Sequence, residues 1–158
     1  MPQRLGAHCP IQLPLPSAWT PSGRSSRLPR SETTVDPQIG IDLTRVAKVQ
    51  RVFDGRETLL AEVFTPEELR YSFRQRRPFE HLAARYAAKE AVFKGLQTGM
   101  TGPVCWHDVE VVRGLAGEPR LVLRGGVARL AATQGFRRCA VSLSHAGAYA
   151  MAAVLFSG

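Results

Sequence analysis

Residues 85–94 read Arg-Tyr-Ala-Ala-Lys-Glu-Ala-Val-Phe-Lys and form the centre of the longest helical pattern in the chain, residues 79–96. On a helix, residues three or four apart share a side, so Glu90 and Lys94 lie on one face above the small side chains of Ala83 and Ala87. Another element or a ligand can therefore approach the Glu90 carboxylate closely. Taken alone, Glu90 and Lys94 also fit an ordinary helical ion pair, worth about 0.2–0.5 kcal/mol.

A second carboxylate stands upstream of this helix. Ile39-Gly40-Ile41-Asp42 is predicted to be a short strand that ends in an acid, and residues 43–53 continue with apolar side chains in a helical period. Asp42 fits a helix N-cap. It equally fits a magnesium ligand, because Mg²⁺ takes one or two carboxylates and completes its shell with water and substrate phosphates.

The remaining pattern indicates an α+β fold. Thr65-Pro66-Glu67-Glu68 has the residues of a helix start: an N-cap threonine, a first-turn proline and first-turn acids. The other predicted elements are a hairpin of strands at 109–113 and 119–123, a helix at 126–133, and strands at 139–144 and 149–156 around a turn at 145–147. We expect a compact antiparallel sheet packed on the long helix.

The segment Ser142-Leu143-Ser144-His145 leads into that last turn. Alternation on a strand places Ser142 and Ser144 on one face, with His145 at the mouth of the strand. A hydrolase triad is not indicated, because no G-x-S-x-G elbow is present and adjacent strand residues face opposite ways.

The charge of the chain restricts its partners. The formal net charge is +8, and 18 of the 21 basic residues are arginine, the side chain suited to bidentate contacts with phosphate or carboxylate. Nucleic acid, an acidic protein and a polyphosphate cofactor all fit this balance.

The N-terminal segment differs in composition from the rest of the chain. Residues 1–37 hold 7 of the 11 prolines and no hydrophobic period, so we predict a disordered proline- and arginine-rich extension followed by a folded domain at 38–158. Val35 is a candidate original initiator. The sequence has no apolar run of the roughly 18 residues that a membrane span needs and no secretory h-region, so we expect a cytoplasmic protein without a membrane contact. The three cysteines lack the spacing of a disulfide framework or a zinc site.

Three segments, in order, resemble the signature blocks of the holo-acyl-carrier-protein synthases of the phosphopantetheinyl transferase superfamily. They are Gly40-Ile41-Asp42-Leu43, residues 85–91 with Lys94, and Ser142-Leu143-Ser144-His145. The segments 64–69, 108–111 and 117–120 also look alike, and the resemblance covers about residues 39–156.

The resemblance implies the phosphopantetheinyl transferase fold, a homotrimer with active sites at subunit interfaces, and Mg²⁺-dependent transfer of phosphopantetheine from coenzyme A to a serine of an acidic acyl carrier protein, with release of 3′,5′-ADP. Asp42 and Glu90 match the magnesium ligands of the family. Lys94 matches the lysine that faces the coenzyme A phosphates and completes the implied catalytic set. Arg85 and His145 match residues expected to bind coenzyme A near its phosphates.

One position departs from the family pattern. Many relatives carry a glutamate three residues after the first aspartate, where this chain has Arg45. This change either weakens Mg²⁺ binding or faces an acidic partner. It also suggests an alternative, an inactive family member that serves as an interaction subunit.

Five basic residues are candidates for docking the acidic carrier, which could serve fatty-acid, polyketide or peptide synthesis; the alternative is a generic solvated basic face. They are Lys48, Arg51, Arg74, Arg76 and Arg77. A rival function is a small nucleic-acid-binding protein, because residues 70–77 interleave aromatics with arginines. The two carboxylates would have no role in that function, so we expect an enzyme without a nucleic-acid partner.

Overall fold

The computed structural model describes residues 35–99 and 104–158, and the predicted extension at 1–34 lies outside them. The fold is α+β, as predicted. Its elements, in chain order, are β1 (Gln38–Arg45), α1 (Val46–Phe53), α2 (Glu57–Val63), α3 (Pro66–Phe73), α4 (Pro78–Gly95), a 3-10 turn (Trp106–Asp108), β2 (Val109–Arg113), β3 (Pro119–Leu123), α5 (Gly125–Thr133), β4 (Arg138–Ala146) and β5 (Tyr149–Ser157).

The strands form two antiparallel sheets. One has three strands in the order β1–β5–β4, and the other is the β2–β3 hairpin. The three-stranded sheet packs one face on α4, and alternation along β5 buries Ala150, Ala152, Val154 and Phe156 on that inner face. The predicted sheet on a long helix is therefore present, with the hairpin as a separate small sheet.

β1 approaches α4 unusually closely because both sides of the contact are small. Alanines of α4 such as Ala87 and Ala91 are fully buried. A Cβ added at Gly40 would collide with the Ala91 carbonyl oxygen and the Gly95 amide. This backbone-to-backbone contact sets how far Asp42, two residues further along the same face of β1, lies from α4.

Two predicted boundaries are wrong at β1. The strand continues to Arg45 and α1 begins only at Val46, so the predicted helix start at Leu43 is wrong. Asp42 lies within the strand, opposite Ala152 of β5, and the N-cap position of α1 belongs to Arg45. The N-cap interpretation of Asp42 is therefore excluded.

Other predictions have mixed outcomes. The helix start at Thr65 is confirmed, with a full capping box between Thr65 and Glu68. The β2–β3 hairpin has the predicted bounds, whereas α2 was not predicted. β4 runs through His145 to Ala146, so the turn to β5 lies at residues 147–148 rather than 145–147.

The outer face of the three-stranded sheet is apolar where β1 pairs with β5. Ile39, Ile41 and Leu43 of β1 are 66%, 54% and 61% exposed. In the register of the sheet, Leu155 lies beside Ile39 and Met151 beside Leu43, and both are also exposed. We call these five residues the outer apolar patch. Large contiguous apolar patches on a protein surface are typical of interaction sites.

The α-helices of the described segments have 7 to 18 residues. None of them has both the length and the apolar character that a membrane crossing requires.

Candidate active site

β1 and α4 bring two predicted site residues into direct contact. The Nζ of Lys94 donates to Oδ1 of Asp42 over 2.7 Å. Asp42 projects from the inner face of β1 and is largely covered, whereas half of the Lys94 side chain is exposed. Lys94 therefore pairs with Asp42 of the sheet. The helical ion pair between Lys94 and Glu90, which the spacing also allowed, is not observed.

Glu90 joins the same group through Tyr86. The Tyr86 hydroxyl donates to Oε1 of Glu90 over 3.1 Å, and Tyr86, Glu90 and Lys94 follow one another at intervals of four residues along one side of α4. Burial first, and then the nearby charges of Glu90 and Asp42, raise the pKa of Tyr86 to about 12. Both carboxylates thus act on one hydroxyl. We call Asp42, Glu90, Lys94 and Tyr86 the carboxylate cluster.

The donor set of this cluster suits a hard divalent cation. Within residues 35–99 and 104–158, no group of three or more His, Cys, Asp or Glu side chains is arranged to hold a metal, so the described residues provide no zinc-type site of several protein ligands. Two carboxylates beside an open, partly exposed surface fit Mg²⁺, which draws its other ligands from water and substrate phosphates.

The other two predicted residues, Arg85 and His145, line a separate cavity of about 200 Å³. It lies between α3, α4, the β2–β3 hairpin and β4, and its lining also includes Tyr71, His81 and Arg113. None of the three charged residues of the carboxylate cluster lines it. Arg85 and Lys94 are nine residues apart on α4, which separates them by about 13 Å along the helix axis.

Arg85 is arranged to receive an anion in this cavity. It is only 4% exposed, and its guanidinium carbon lies 4.1 Å from the centre of the Tyr71 ring. Nη1 donates to the His81 carbonyl oxygen, but the buried Nε has no hydrogen-bond partner. Burial lowers the pKa of Arg85, and the negative charge of Glu68 offsets this only in part, so a bound anion would further stabilise the buried charge.

Arg113 and two imidazoles complete the polar lining. The guanidinium carbon of Arg113 lies 5.5 Å from the centre of the Tyr71 ring. The rings of His81 and His145 are 5.7 Å apart and meet edge to face. Two arginines and two histidines around one small cavity are suited to a phosphate group.

Sequence reasoning missed Tyr71, His81 and Arg113. They come from three different elements, and only His81 had a usable signal, its position one helical turn before Arg85. Tyr71 belongs to the segment that suggested nucleic-acid binding; its ring instead packs against His81 and two arginines within the protein. That packing takes Tyr71 out of the exposed aromatics on which the nucleic-acid alternative rests, whereas Phe73 of the same segment is exposed.

Lys89, next to Glu90, is fully buried, and its ammonium group is bound by other parts of the protein. Its Nζ forms an ion pair with Glu68 at 2.8 Å and donates to the carbonyl oxygens of Trp106 and Val109. These three acceptors use all three N–H groups of the ammonium. Lys89 therefore ties α4 to α3 and to the start of β2, and has no N–H group left for a substrate.

Arg45, the departure from the family pattern, lies on the outer face of β1. Its Nε donates to the Tyr149 hydroxyl over 3.1 Å, and its guanidinium lies over the same ring. Because alternate strand residues face opposite sides, Arg45 points away from Asp42. It does not take the place of a cation ligand within this subunit.

The five candidate docking residues are all exposed. Lys48 and Arg51 lie on the solvent side of α1, whose opposite side buries Val49 and Phe53. Arg77 is paired with Glu80 at 2.9 Å.

Comparison with known proteins assigns the family. A family model described as the 4′-phosphopantetheinyl transferase superfamily matches residues 38–154, so the chain belongs to that superfamily. The holo-[acyl-carrier-protein] synthase of Moorella thermoacetica is 42% identical over 118 residues, which are 75% of this chain and 91% of the relative. Within the superfamily, the chain is therefore an enzyme of the holo-acyl-carrier-protein synthase type.

Solved structures agree with this assignment. The holo-[acyl-carrier-protein] synthase of Neisseria meningitidis superposes with a TM-score of 0.68 at 27% identity, covering 75% of this chain and 96% of that one. An ACPS–CoA complex from Chronobacterium ammoniagenes gives a TM-score of 0.67 at 29% identity, covering 77% and 97%.

Proposed function

We propose that this enzyme transfers phosphopantetheine from coenzyme A to a serine of an acyl carrier protein in a Mg²⁺-dependent reaction that releases 3′,5′-ADP. The observation that carries the proposal is the meeting of Asp42 and Lys94, at 2.7 Å, beside Glu90. The names of the relatives support an acyl carrier protein as one substrate. The CoA complex from Chronobacterium ammoniagenes supports coenzyme A as the other. A cytoplasmic location goes with this proposal.

The carboxylate cluster would act on the diphosphate of coenzyme A. Asp42 and Glu90 would hold Mg²⁺, which neutralises charge on phosphoryl oxygens and fixes their geometry. Lys94 would swing from Asp42 towards the diphosphate, which its exposed four-carbon chain permits. The serine hydroxyl of the carrier would attack the phosphorus nearest pantetheine, forming a new P–O bond as the bond from that phosphorus to the bridging oxygen breaks. 3′,5′-ADP would leave with the bridging oxygen, and the serine proton would pass to solvent. Positioning and charge neutralisation provide most of the rate enhancement in such transfers.

The cavity around Arg85 would bind another phosphate of coenzyme A. Arg85, with its unpartnered Nε, and Arg113 provide fixed positive charge, and His145 and His81 provide N–H donors at the same cavity. Since the cavity and the carboxylate cluster are separate within one subunit, we propose that a complete site combines the cluster of one subunit with the cavity of a neighbour in a homotrimer.

The basic surface of α1 would dock the acidic carrier. Lys48 and Arg51 are exposed on one side of this helix, which follows directly on the strand that bears Asp42. Charges at the edge of an interface act mainly on the association rate and its salt dependence, so this contact would appear in the KM for the carrier rather than in kcat.

The test is incubation of the purified chain with an apo carrier, coenzyme A and Mg²⁺, followed by mass spectrometry of the carrier. We expect a mass gain of one phosphopantetheine. Asp42→Asn and Glu90→Gln should each reduce the rate at least about tenfold, whereas the exposed matched controls Asp54→Asn and Glu62→Gln should not. Absence of any mass gain with several carriers would favour the inactive-subunit alternative instead.

The same assay tests the docking surface. Arg51→Glu should raise the KM for the carrier at low salt and leave the KM for coenzyme A unchanged, because only the carrier faces α1 in this proposal. Arg129→Glu on the exposed side of α5 makes the same charge change elsewhere and serves as control. An unchanged carrier KM for Arg51→Glu would refute the docking assignment.

A further inference from the structure

Tyr86 is the one uncharged member of the carboxylate cluster. We propose that Tyr86 is a positioning residue whose hydroxyl holds the Glu90 carboxylate in the orientation that lets it share a divalent cation with Asp42. The inference rests on the proposed function, because it gives Tyr86 a role towards the same cation.

The Tyr86 ring is held on two sides by other aromatic rings. It stacks on Trp106 with the centroids 5.4 Å apart and an angle of 29° between the planes, and it meets Phe53 at 6.1 Å. Trp106 is fixed in turn, since its carbonyl oxygen accepts a hydrogen bond from the buried Lys89. The position of the hydroxyl is thus set by the core and not by the surface.

Glu90, in contrast, is partly exposed and has a long, flexible side chain. Its hydrogen bond from Tyr86 uses Oε1 and leaves Oε2 free of any protein partner among the described residues. A carboxylate tethered through one oxygen samples fewer orientations and keeps its other oxygen for a cation. Partners of this kind orient metal ligands, and their loss typically costs 10–100-fold in metal affinity or activity.

A phenylalanine at position 86 would isolate this role. It keeps the ring contacts with Trp106 and Phe53 and removes only the hydroxyl, the group that touches Glu90. The experiment measures binding of Mn²⁺, used as a paramagnetic probe for Mg²⁺, to the full chain by electron paramagnetic resonance. We expect Tyr86→Phe to bind Mn²⁺ about tenfold more weakly than the unmodified chain.

Two further measurements separate positioning from folding. The urea midpoint of Tyr86→Phe should stay near that of the unmodified chain, and the Mg²⁺ concentration for half-maximal carrier modification should rise by a similar factor of about ten. Tyr149→Phe is the matched control: it also removes a tyrosine hydroxyl, but one that contacts Arg45 on the outer face of the sheet. Its Mn²⁺ affinity should be unchanged.

Unchanged Mn²⁺ affinity in Tyr86→Phe would overturn the inference, and so would weaker binding explained by a matching loss of stability. Glu90→Gln separates the role of Tyr86 from the existence of the cation site. If Glu90→Gln loses Mn²⁺ binding while Tyr86→Phe keeps it, only the role of Tyr86 is wrong. If both variants bind Mn²⁺ normally, the proposed cation site itself is wrong.

Discussion

His81 gives the cavity around Arg85 a charge that depends on pH. Burial, followed by the positive charge of Arg85 and the proximity of His145, lowers the pKa of His81 below its usual 6.5, and only Glu80 acts in the opposite direction. Arg113 adds a further positive charge to the same cavity. At neutral pH His81 is therefore uncharged in the folded protein and is available as a hydrogen-bond donor through one ring nitrogen only.

This direction of the pKa predicts a loss of stability on acidification. The unfolded chain takes up a proton at His81 at a higher pH than the folded chain does, so the free energy of unfolding falls as the pH decreases from about 6.5. Replacing His81 with phenylalanine keeps a ring against Tyr71 and His145 and removes the proton uptake at position 81 on unfolding. Urea unfolding between pH 7.5 and 5 should therefore show a shallower decline for His81→Phe; identical slopes would contradict the prediction.

At the level of single residues, the sequence predicted what a local motif encodes and missed what only tertiary structure assembles. Asp42 and Glu90 were predicted because each stands in a distinctive local pattern, and the structure places them on the adjoining elements β1 and α4. Tyr86, which donates to Glu90, and Arg113, which joins Arg85 at the cavity, were not predicted. The side chain of Arg113 reaches the cavity through the pairing of the β2–β3 hairpin and its packing on α3, and no local spacing expresses those contacts.

At the scale of elements, the close contact between β1 and α4 controls the carboxylate cluster. Asp42 is carried by the strand, whereas Glu90 and Lys94 are carried by the helix, and the two elements touch through backbone atoms at Gly40. A methyl group at position 40 cannot be accommodated by a side-chain rotation, because the atoms in its way are the Ala91 carbonyl oxygen and the Gly95 amide. The strand must therefore move away from the helix.

Gly40→Ala should accordingly lower both stability and activity. We expect a loss of about 1–3 kcal/mol in the free energy of unfolding, the usual cost of overpacking, and a fall in carrier modification at a temperature where the variant is still folded, since Asp42 moves away from Lys94. Gly99→Ala is the control, because a Cβ at position 99 meets no atom of the described residues within 4 Å. Normal activity in a folded Gly40→Ala protein would show that this contact does not set the geometry of the site.

The same two elements show why sequence patterns fix element types better than their ends. Apolar residues at 43, 46, 49 and 53 fit a helical period, so Leu43 was assigned to a helix, although it also continues the alternation of residues 39 and 41. Pairing with Met151 of β5 decides in favour of the strand, and a local period does not contain that contact. The seven-residue helix α2 was not predicted because no side-chain cap marks its start.

At the scale of the whole molecule, one subunit leaves two features unexplained. The carboxylate cluster and the cationic cavity lie apart, and the outer apolar patch has no cover within the described chain. The proposed homotrimer would account for both at once, because the patches of neighbouring copies would cover one another and the edge of one subunit would complete the site of the next. The proposed homotrimer is the assembly that the resemblance implies.

Ile41→Lys tests this assembly at the middle of the patch. Ile41 is more than half exposed and pairs with Ala153 of β5, so a lysine is tolerated in a free subunit. In an interface it would bury an unpaired charge, which is strongly unfavourable. Light scattering after size-exclusion chromatography should show a trimer for the unmodified chain and for the control Ala132→Lys on α5, but a monomer for Ile41→Lys. Because the proposed site combines groups from two subunits, carrier modification should fall at least about tenfold together with the mass. A monomer with full activity would place the complete site within one chain, and an unchanged mass would move the interface away from this sheet.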